Sequence, residues 1–287
     1  MKPAQFTYHA PQTLTDAVML LAKFAPQDGR VLAGGQSLVP AMALRLAQPA
    51  HLIDINGVAG LRGLTVEDDT LVIGACVRHA ALQRPPLDDT LGRLLACVVR
   101  HIGHYPIRTR GTFCGSLAHA DPASEWCLVA ATLGAQMIAH SARGKRTVAA
   151  GNFFMGMMAT ALKPDELLIA ARLPLLSADT CCGFYEFSRR AGDFAIAMAL
   201  AAYRIENGVI VDARVGVGGV EGQPRRVREA EASLEGRAPG SGAFDAAADA
   251  AAGAVEPLDG NAGDAQYKRD VTRAAVRRAL DTAGRRT

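Results

Sequence analysis

The sequence predicts an α+β fold in two unequal parts, on three observations. Through residue 176, short apolar strand-like runs alternate with helical stripes. Pro174-Leu175-Leu176-Ser177 then reads as a boundary. Beyond it a run of strands is followed by alanine-rich helices, the pattern of an α+β module. We therefore expect one domain over 1–176, divided near 57–60 into two subdomains, and a second over 177–287. A chain of 287 residues has room for both and for a substantial core.

The elements follow in order. Ala17, Val18, Leu20, Leu21 and Phe24 form one stripe of a helix over Thr15 to Phe24. Arg30-Val31-Leu32-Ala33 is a short strand running into a glycine loop. His51 to Ile55 and Thr70 to Gly74 are further strands bounded by turn residues. Leu87 to His101 reads as a second helix, and Tyr105-Pro106 as a break. Pro122 suits the first position of a helix capped by Asp121 and running through Trp126 and Leu133. Gln136 to His140 and Leu167 to Leu173 are strand-like.

In the second part, Phe184 to Ser188 and Ala195 to Ile205 read as strands. Asn207-Gly208 is a hairpin signal before Val209 to Val217. Helices are expected over Arg226 to Leu234, Ala243 to Val255 and Gln266 to Ala283. Pro239-Gly240-Ser241-Gly242 is a loop, and there is no internal repeat.

Composition excludes several classes. Hydrophobic residues make up 49% and charged residues 21%, as in a soluble globular protein. The net charge is +3 and no Lys/Arg block is interleaved with aromatics, so nucleic acid is not the expected partner. Arg225-Arg226-Val227-Arg228 and Arg277-Arg278 are expected on solvated helix faces. No apolar run has the length of a membrane span, and no signal peptide is evident. The expected location is the cytoplasm, without integral membrane association. Cys76, Cys97, Cys114, Cys127, Cys181 and Cys182 form no C-x-x-C pair, which supports neither zinc nor an iron–sulfur cluster. Reduced thiols are expected, with Cys181-Cys182 packed at a strand start.

Two loops of small residues carry the chemistry. The first is Ala33-Gly34-Gly35-Gln36-Ser37. The second is Gly111-Thr112-Phe113-Cys114-Gly115-Ser116, running on through Ala118-His119-Ala120-Asp121-Pro122. Each presents backbone N–H groups with little side-chain bulk, a concavity suited to an anion such as a pyrophosphate. The first loop fails the G-x-G-x-x-G spacing and has no acidic residue clearly placed for a ribose, which disfavours a Rossmann domain. Alone, Gly34-Gly35 reads as a tight turn. Two such loops in one chain point to a pyrophosphate gripped from both sides.

The stretch Val31-Leu32-Ala33-Gly34-Gly35-Gln36-Ser37-Leu38-Val39-Pro40 resembles the first flavin-binding segment of the medium, FAD-binding subunits of molybdenum hydroxylases. Xanthine dehydrogenase and aerobic carbon monoxide dehydrogenase belong to that family. The run from Ile107 to Glu125 is similar to its second segment, and Arg189-Arg190-Ala191-Gly192-Asp193-Phe194-Ala195 to a third in the C-terminal part. The resemblance spans nearly the whole chain, from Phe6-Thr7-Tyr8-His9 onwards. It implies a two-part FAD-binding domain of the vanillyl-alcohol-oxidase type, then a C-terminal antiparallel sheet with packed helices.

The same resemblance implies roles. Gly34, Gly35, Gln36 and Ser37 would meet the FAD pyrophosphate from one side, and Gly111, Thr112, Cys114, Gly115 and Ser116 from the other. Leu32, Ala33, Leu38, Ala118 and Leu168 would line the cofactor's path. Asp121, Ser124 and Glu125 would lie towards the ribityl and flavin end, with His79 and His119 nearby; Asp121 serves equally as a helix cap. Phe194 stands where an aromatic residue packs on the isoalloxazine, the alternative being an ordinary core phenylalanine. Cys114 replaces a common glycine, and Glu186 stands near a frequent lysine.

As to function, the resemblance implies an electron relay with no catalytic triad and no metal of its own. A small subunit with two [2Fe–2S] clusters would feed the FAD, and a large molybdopterin-binding subunit would hydroxylate the substrate, as a dimer of heterotrimers. A self-contained flavin oxidase and a flavin-free assembly scaffold are the alternatives.

Overall fold

The computed structural model describes residues 2–258 and 263–285. The first sheet is parallel and small, with β1 (Thr7–His9), β3 (His51–Asp54) and β2 (Gly29–Leu32) in that spatial order. Helix α1 (Leu14–Phe24) covers it, capped by Thr13, whose side chain accepts from the Asp16 N–H. Ala17, Val18, Leu21 and Phe24 are its buried face, at the spacing the sequence shows. A short helix α2 (Leu38–Ala43) follows the first glycine loop.

The second sheet is antiparallel. Its five strands lie in the order β4 (Leu64–Glu67), β5 (Thr70–Gly74), β10 (Leu167–Pro174), β6 (Gln136–Ser141) and β7 (Gly144–Ala149). Between β5 and β6 run four helices: α3 (Thr90–Val98), α4 (Tyr105–Arg108), α5 (Phe113–His119) and α6 (Glu125–Leu133). A two-stranded hairpin, β8 (Phe154–Gly156) and β9 (Ala159–Thr160), precedes β10.

The C-terminal sheet has the order β11 (Cys181–Phe187), β12 (Ala197–Glu206), β13 (Val209–Gly218) and β14 (Arg225–Arg226), all antiparallel. Strand β12 divides two cores by simple alternation. Ala197, Ala199, Ala201 and Tyr203 face α7 (Arg228–Ala232), α8 (Ser241–Ala254) and α9 (Ala265–Gly284). Met198, Leu200 and Ala202 face the N-terminal core around Trp126. The sheet is thus a shared wall, buried on both faces. Gly183 lets α9 lie directly on β11, since a Cβ there would sit 2.0 Å from the Ala279 carbonyl oxygen. Asn207 and Gly208 both take positive φ, 51° and 81°, as the hairpin requires.

Several boundaries differ from the sequence reading. Helix α3 starts at Thr90 rather than Leu87, because the Asp89 carboxylate caps the Gly92 N–H at 2.7 Å. Helix α6 starts at Glu125 rather than Pro122. Asp121 closes a turn instead, its Oδ1 accepting from the Ala123 N–H at 2.9 Å. Tyr105-Pro106, read as a break, opens α4, and most of the second loop is helix α5. Arg225 and Arg226 form β14 rather than a helix face, and are ion-paired to Glu221 and Glu231. Cys181 is buried at the start of β11, as expected.

Candidate functional site

The first loop connects β2 to α2. Gly35 bends it at φ +71°, and the Val39 N–H and Gln36 Nε2 return to the Gly35 and Gly34 carbonyls. Among the described residues, nothing accepts from the N–H groups of Gly34, Gly35, Gln36 or Ser37. Ser37 is exposed, and Leu32, Ala33 and Leu38 are half-buried. Unsatisfied N–H groups in one turn form a nest for an anion.

The second loop is built differently. Thr112 is the N-cap of α5, and its Oγ1 accepts the Gly115 N–H at 3.0 Å; its carbonyl accepts from Ser116 N–H. A Cβ at Gly115 would sit 2.5 Å from that Oγ1, so glycine leaves room for the cap. The donors expected from Thr112, Gly115 and Ser116 are therefore partly taken up within the helix cap, and Thr112 is buried. Cys114 turns inward, its Sγ donating to the Ile73 carbonyl, and burial pushes its thiol upward. Its backbone N–H has no acceptor among the described residues. The face of α5 left to solvent carries Gly115, Ser116, Ala118 and His119.

Behind this loop stands His79, buried at 4% exposure. Its Nδ1 accepts from Trp126 Nε1 at 2.9 Å, and a Cβ on Gly111 would strike its ring at 2.5 Å. Burial pushes its pKa down to about 3, which keeps it neutral. His79 thus supports the loop from behind, buried beneath Gly111 rather than lying on the surface. Leu168 is likewise a core side chain of β10, beside a register shift between Leu168 and Ala170.

The two loops touch at Gly34, where a Cβ would meet the Arg110 carbonyl oxygen at 2.5 Å and Gly111 Cα at 2.6 Å. Two residues that the motifs did not reveal bridge them as well. Asn56 Nδ2 donates to the Ala33 carbonyl at 2.7 Å, and Arg78 donates to Asn56 Oδ1 at 2.6 Å and to the Arg110 carbonyl.

At the junction with the C-terminal sheet lie two buried carboxyls. Burial raises Glu125 to about 7, with Asp121 adding repulsion. Burial raises Glu186 to about 8, with Glu125 adding repulsion. Glu186 Oε2 lies 3.9 Å from His101 Nδ1 and has no hydrogen-bond partner among the described residues. Ser124 is buried and Asp121 half-buried. Phe194, in the connection between β11 and β12, is 75% exposed, which removes the core-phenylalanine alternative.

The model of an FAD binding domain in molybdopterin dehydrogenase matches residues 4–176, and that of the CO dehydrogenase flavoprotein C-terminal domain matches 183–283. The chain is 37% identical to the nicotine 6-hydroxylase medium subunit of Paenarthrobacter nicotinovorans, over 100% of both chains. It is 35% identical to the carbon monoxide dehydrogenase medium chain of Hydrogenophaga pseudoflava, over 99% of this chain and 98% of that one. A solved structure of the Hydrogenophaga pseudoflava enzyme, lacking the Mo-pyranopterin moiety, superposes with a TM-score of 0.93 at 36% identity over 99% of each chain. The chain belongs to the FAD-binding medium subunits of the molybdenum hydroxylases.

As an FAD subunit of this family it is an oxidoreductase component and its cofactor is FAD. The residues present fit that cofactor: four unpartnered N–H groups in one loop, a second loop in contact with it, and an aromatic ring held in the open. Among the described residues of the FAD subunit, no helix is long and apolar enough to cross a membrane. None of its described His, Cys, Asp and Glu side chains form a group of three or more able to hold a metal.

Proposed function

We propose that this FAD subunit relays electrons within a molybdenum hydroxylase complex. Electrons arrive from the [2Fe–2S] clusters of a small subunit and leave to an external acceptor such as a quinone, NAD or oxygen. A large molybdopterin-binding subunit hydroxylates the substrate, and the assembly is a dimer of heterotrimers. The observation that carries the reading is the row of unpartnered N–H groups from Gly34 to Ser37, set against the backbone of the second loop. Its six free cysteines suit a reducing compartment, the cytoplasm. The domains are taken as 1–176, split near 57–60, and 177–287.

Bound FAD supplies reversible electron transfer, which is the cofactor's own chemistry. The chain's residues hold and orient it. Gly34, Gly35, Gln36 and Ser37 donate backbone N–H groups to the pyrophosphate, with Leu32, Ala33 and Leu38 alongside. Cys114 N–H and the Ser116 hydroxyl, with Ala118 and His119, meet it from α5. Gly111, Thr112, Gly115 and His79 shape that helix start, and Leu168 backs the site from β10. Asp121, Ser124 and Glu125 face the ribityl and flavin end, and Phe194 covers the ring system.

The test is flavin absorption of the purified chain, followed by anaerobic mixing with its partner subunits and substrate. Flavin bleaching that requires both partners supports the relay. Bleaching by substrate without partners overturns it in favour of a self-contained oxidase. A chain that takes up no FAD at saturation overturns it in favour of a scaffold.

A further inference from the structure

Asn56 and Arg78 belong to neither loop, yet they tie the two together. Asn56 follows β3 and is itself held in place. Its N–H and its Nδ2 both donate to Asp54 Oδ1, at 2.9 and 2.6 Å, and Tyr8 donates to the other carboxylate oxygen. That leaves Nδ2 aimed at the Ala33 carbonyl, at the entry to the first loop. Its amide oxygen faces the other way and takes one arm of the Arg78 guanidinium. A second arm donates to the Arg110 carbonyl, immediately before Gly111. The same Arg110 oxygen is the atom nearest to a Cβ on Gly34. Each loop is therefore fixed relative to the other by a side-chain bridge of two residues and by one backbone contact.

We propose that Asn56 and Arg78 are positioning residues for FAD, acting as a two-link strut that holds the loops at the separation the pyrophosphate needs. This rests on the cofactor seating proposed above. The strut requires a planar fork, since one side chain must reach two acceptors lying in different directions. Arginine has that geometry, whereas lysine carries its donors on a single nitrogen. Arg62 and Arg110 stand nearby, so the local positive charge does not depend on Arg78 alone. An Arg78→Lys protein keeps the charge and loses the fork, which separates positioning from simple attraction of a phosphate.

The experiment is titration of the full chain, freed of flavin, with FAD by flavin fluorescence, beside the melting temperature of the apoprotein. Arg78→Lys, Asn56→Ala and the double variant are compared with the natural chain. We expect each single variant to bind FAD about tenfold more weakly. The double variant should be no weaker than the worse single one, with apoprotein melting little changed. Wild-type affinity in Arg78→Lys overturns the strut and leaves Arg78 only a charge. Additive losses overturn the coupling, and losses that track a fall in apoprotein melting make the pair merely structural. If Asn56→Ala does not fold, Arg78→Lys alone still decides between fork and charge. A natural chain that binds no FAD overturns the seating itself rather than the strut.

Discussion

Gly34 lies against the carbonyl of Arg110, so that the first glycine loop is in contact with the backbone leading into the second. A Cβ there would come within 2.5 Å of that oxygen and 2.6 Å of Gly111 Cα. Backbone on both sides leaves no flexible side chain to move aside. The glycine is required by the meeting of the loops, as much as by any approach of a phosphate.

Gly34→Ala should therefore separate the loops. Overpacking of this kind costs about 1–3 kcal/mol. We expect a lower apoprotein melting temperature together with at least about tenfold weaker FAD binding. Calorimetry of the apoprotein and an FAD titration check this. Gly35→Val should abolish binding in the same titration, for a different reason: at φ +71° a β-branched residue is strained, and its Cβ would press on Leu32 and Val39 at 3.1 Å.

Thr112→Ala should remove the cap of α5. The Gly115 N–H would lose its acceptor, at a typical cost of about 1 kcal/mol. Thr112→Ser keeps the oxygen and should retain most of the stability. Chemical denaturation of the two variants measures the difference. Equal stability of Thr112→Ala and the natural chain would remove the cap from the account of this segment.

Strands β2, β3, β5, β6, β10, β11, β12 and β13 are legible because apolar runs and turn formers bracket them. Strands β1, β4, β8, β9 and β14 are not, being only two to four residues long, nor is β7, since Gly144-Lys145-Arg146 is an edge segment with a polar face. Helix α5 has the sequence of a loop, because Gly115 and Ser116 are poor helix formers in isolation. Its inward residues Phe113, Cys114 and Leu117 supply the packing that overrides that preference. The motifs mark both loops, but no sequence pattern marks Asn56 and Arg78, which are 22 residues apart and meet only through the fold. The residue type of His79 suggests chemistry, and its burial behind Gly111 is a tertiary fact.

The carboxyl pair gives a prediction in pH. Glu186 is faced by His101 beyond the end of α3 and by Glu125 at the start of α6, with Asp121 beside Glu125. Burial raises Glu186 to about 8 and Glu125 to about 7, and it lowers His101, which disfavours a compensating positive charge beside Glu186. Both carboxyls are raised above their unfolded value, so the folded chain binds more protons than the unfolded chain at intermediate pH. These two carboxyls therefore contribute stability that is lost as pH climbs towards about 8; buried His79, held down at about 3, contributes with the opposite sign up to the ordinary histidine value, so the net decline is expected between about 6.5 and 8. Each such proton contributes a slope of at most about 1.4 kcal/mol per pH unit. Glu186→Gln should flatten the upper part of that decline. Denaturant unfolding at about pH 5, 6.5 and 8.5 tests it. A Glu186→Gln protein whose stability declines as steeply as that of the natural chain between about pH 6.5 and 8.5 would show that Glu186 is not carried protonated.

Phe194 separates a cofactor role from a packing role. A core phenylalanine typically costs about 3–5 kcal/mol on truncation to alanine. This one is 75% exposed and belongs to neither hydrophobic core, so Phe194→Ala should leave apoprotein stability within about 0.5 kcal/mol. The loop that carries it is fixed independently: Gly192 turns at φ +86° over the His104 ring, and the Ile196 N–H donates to the Phe187 carbonyl. The ring is therefore presented on a defined backbone rather than held by its own packing. If it covers the isoalloxazine, its loss opens one face of that ring to water. The bound-flavin spectrum should shift and the reduced protein should react faster with oxygen, while apoprotein melting stays put. Stopped-flow reoxidation beside apoprotein calorimetry reads both quantities. An unaltered spectrum and reoxidation rate in Phe194→Ala would release this residue from the flavin and leave it a surface side chain free for another partner.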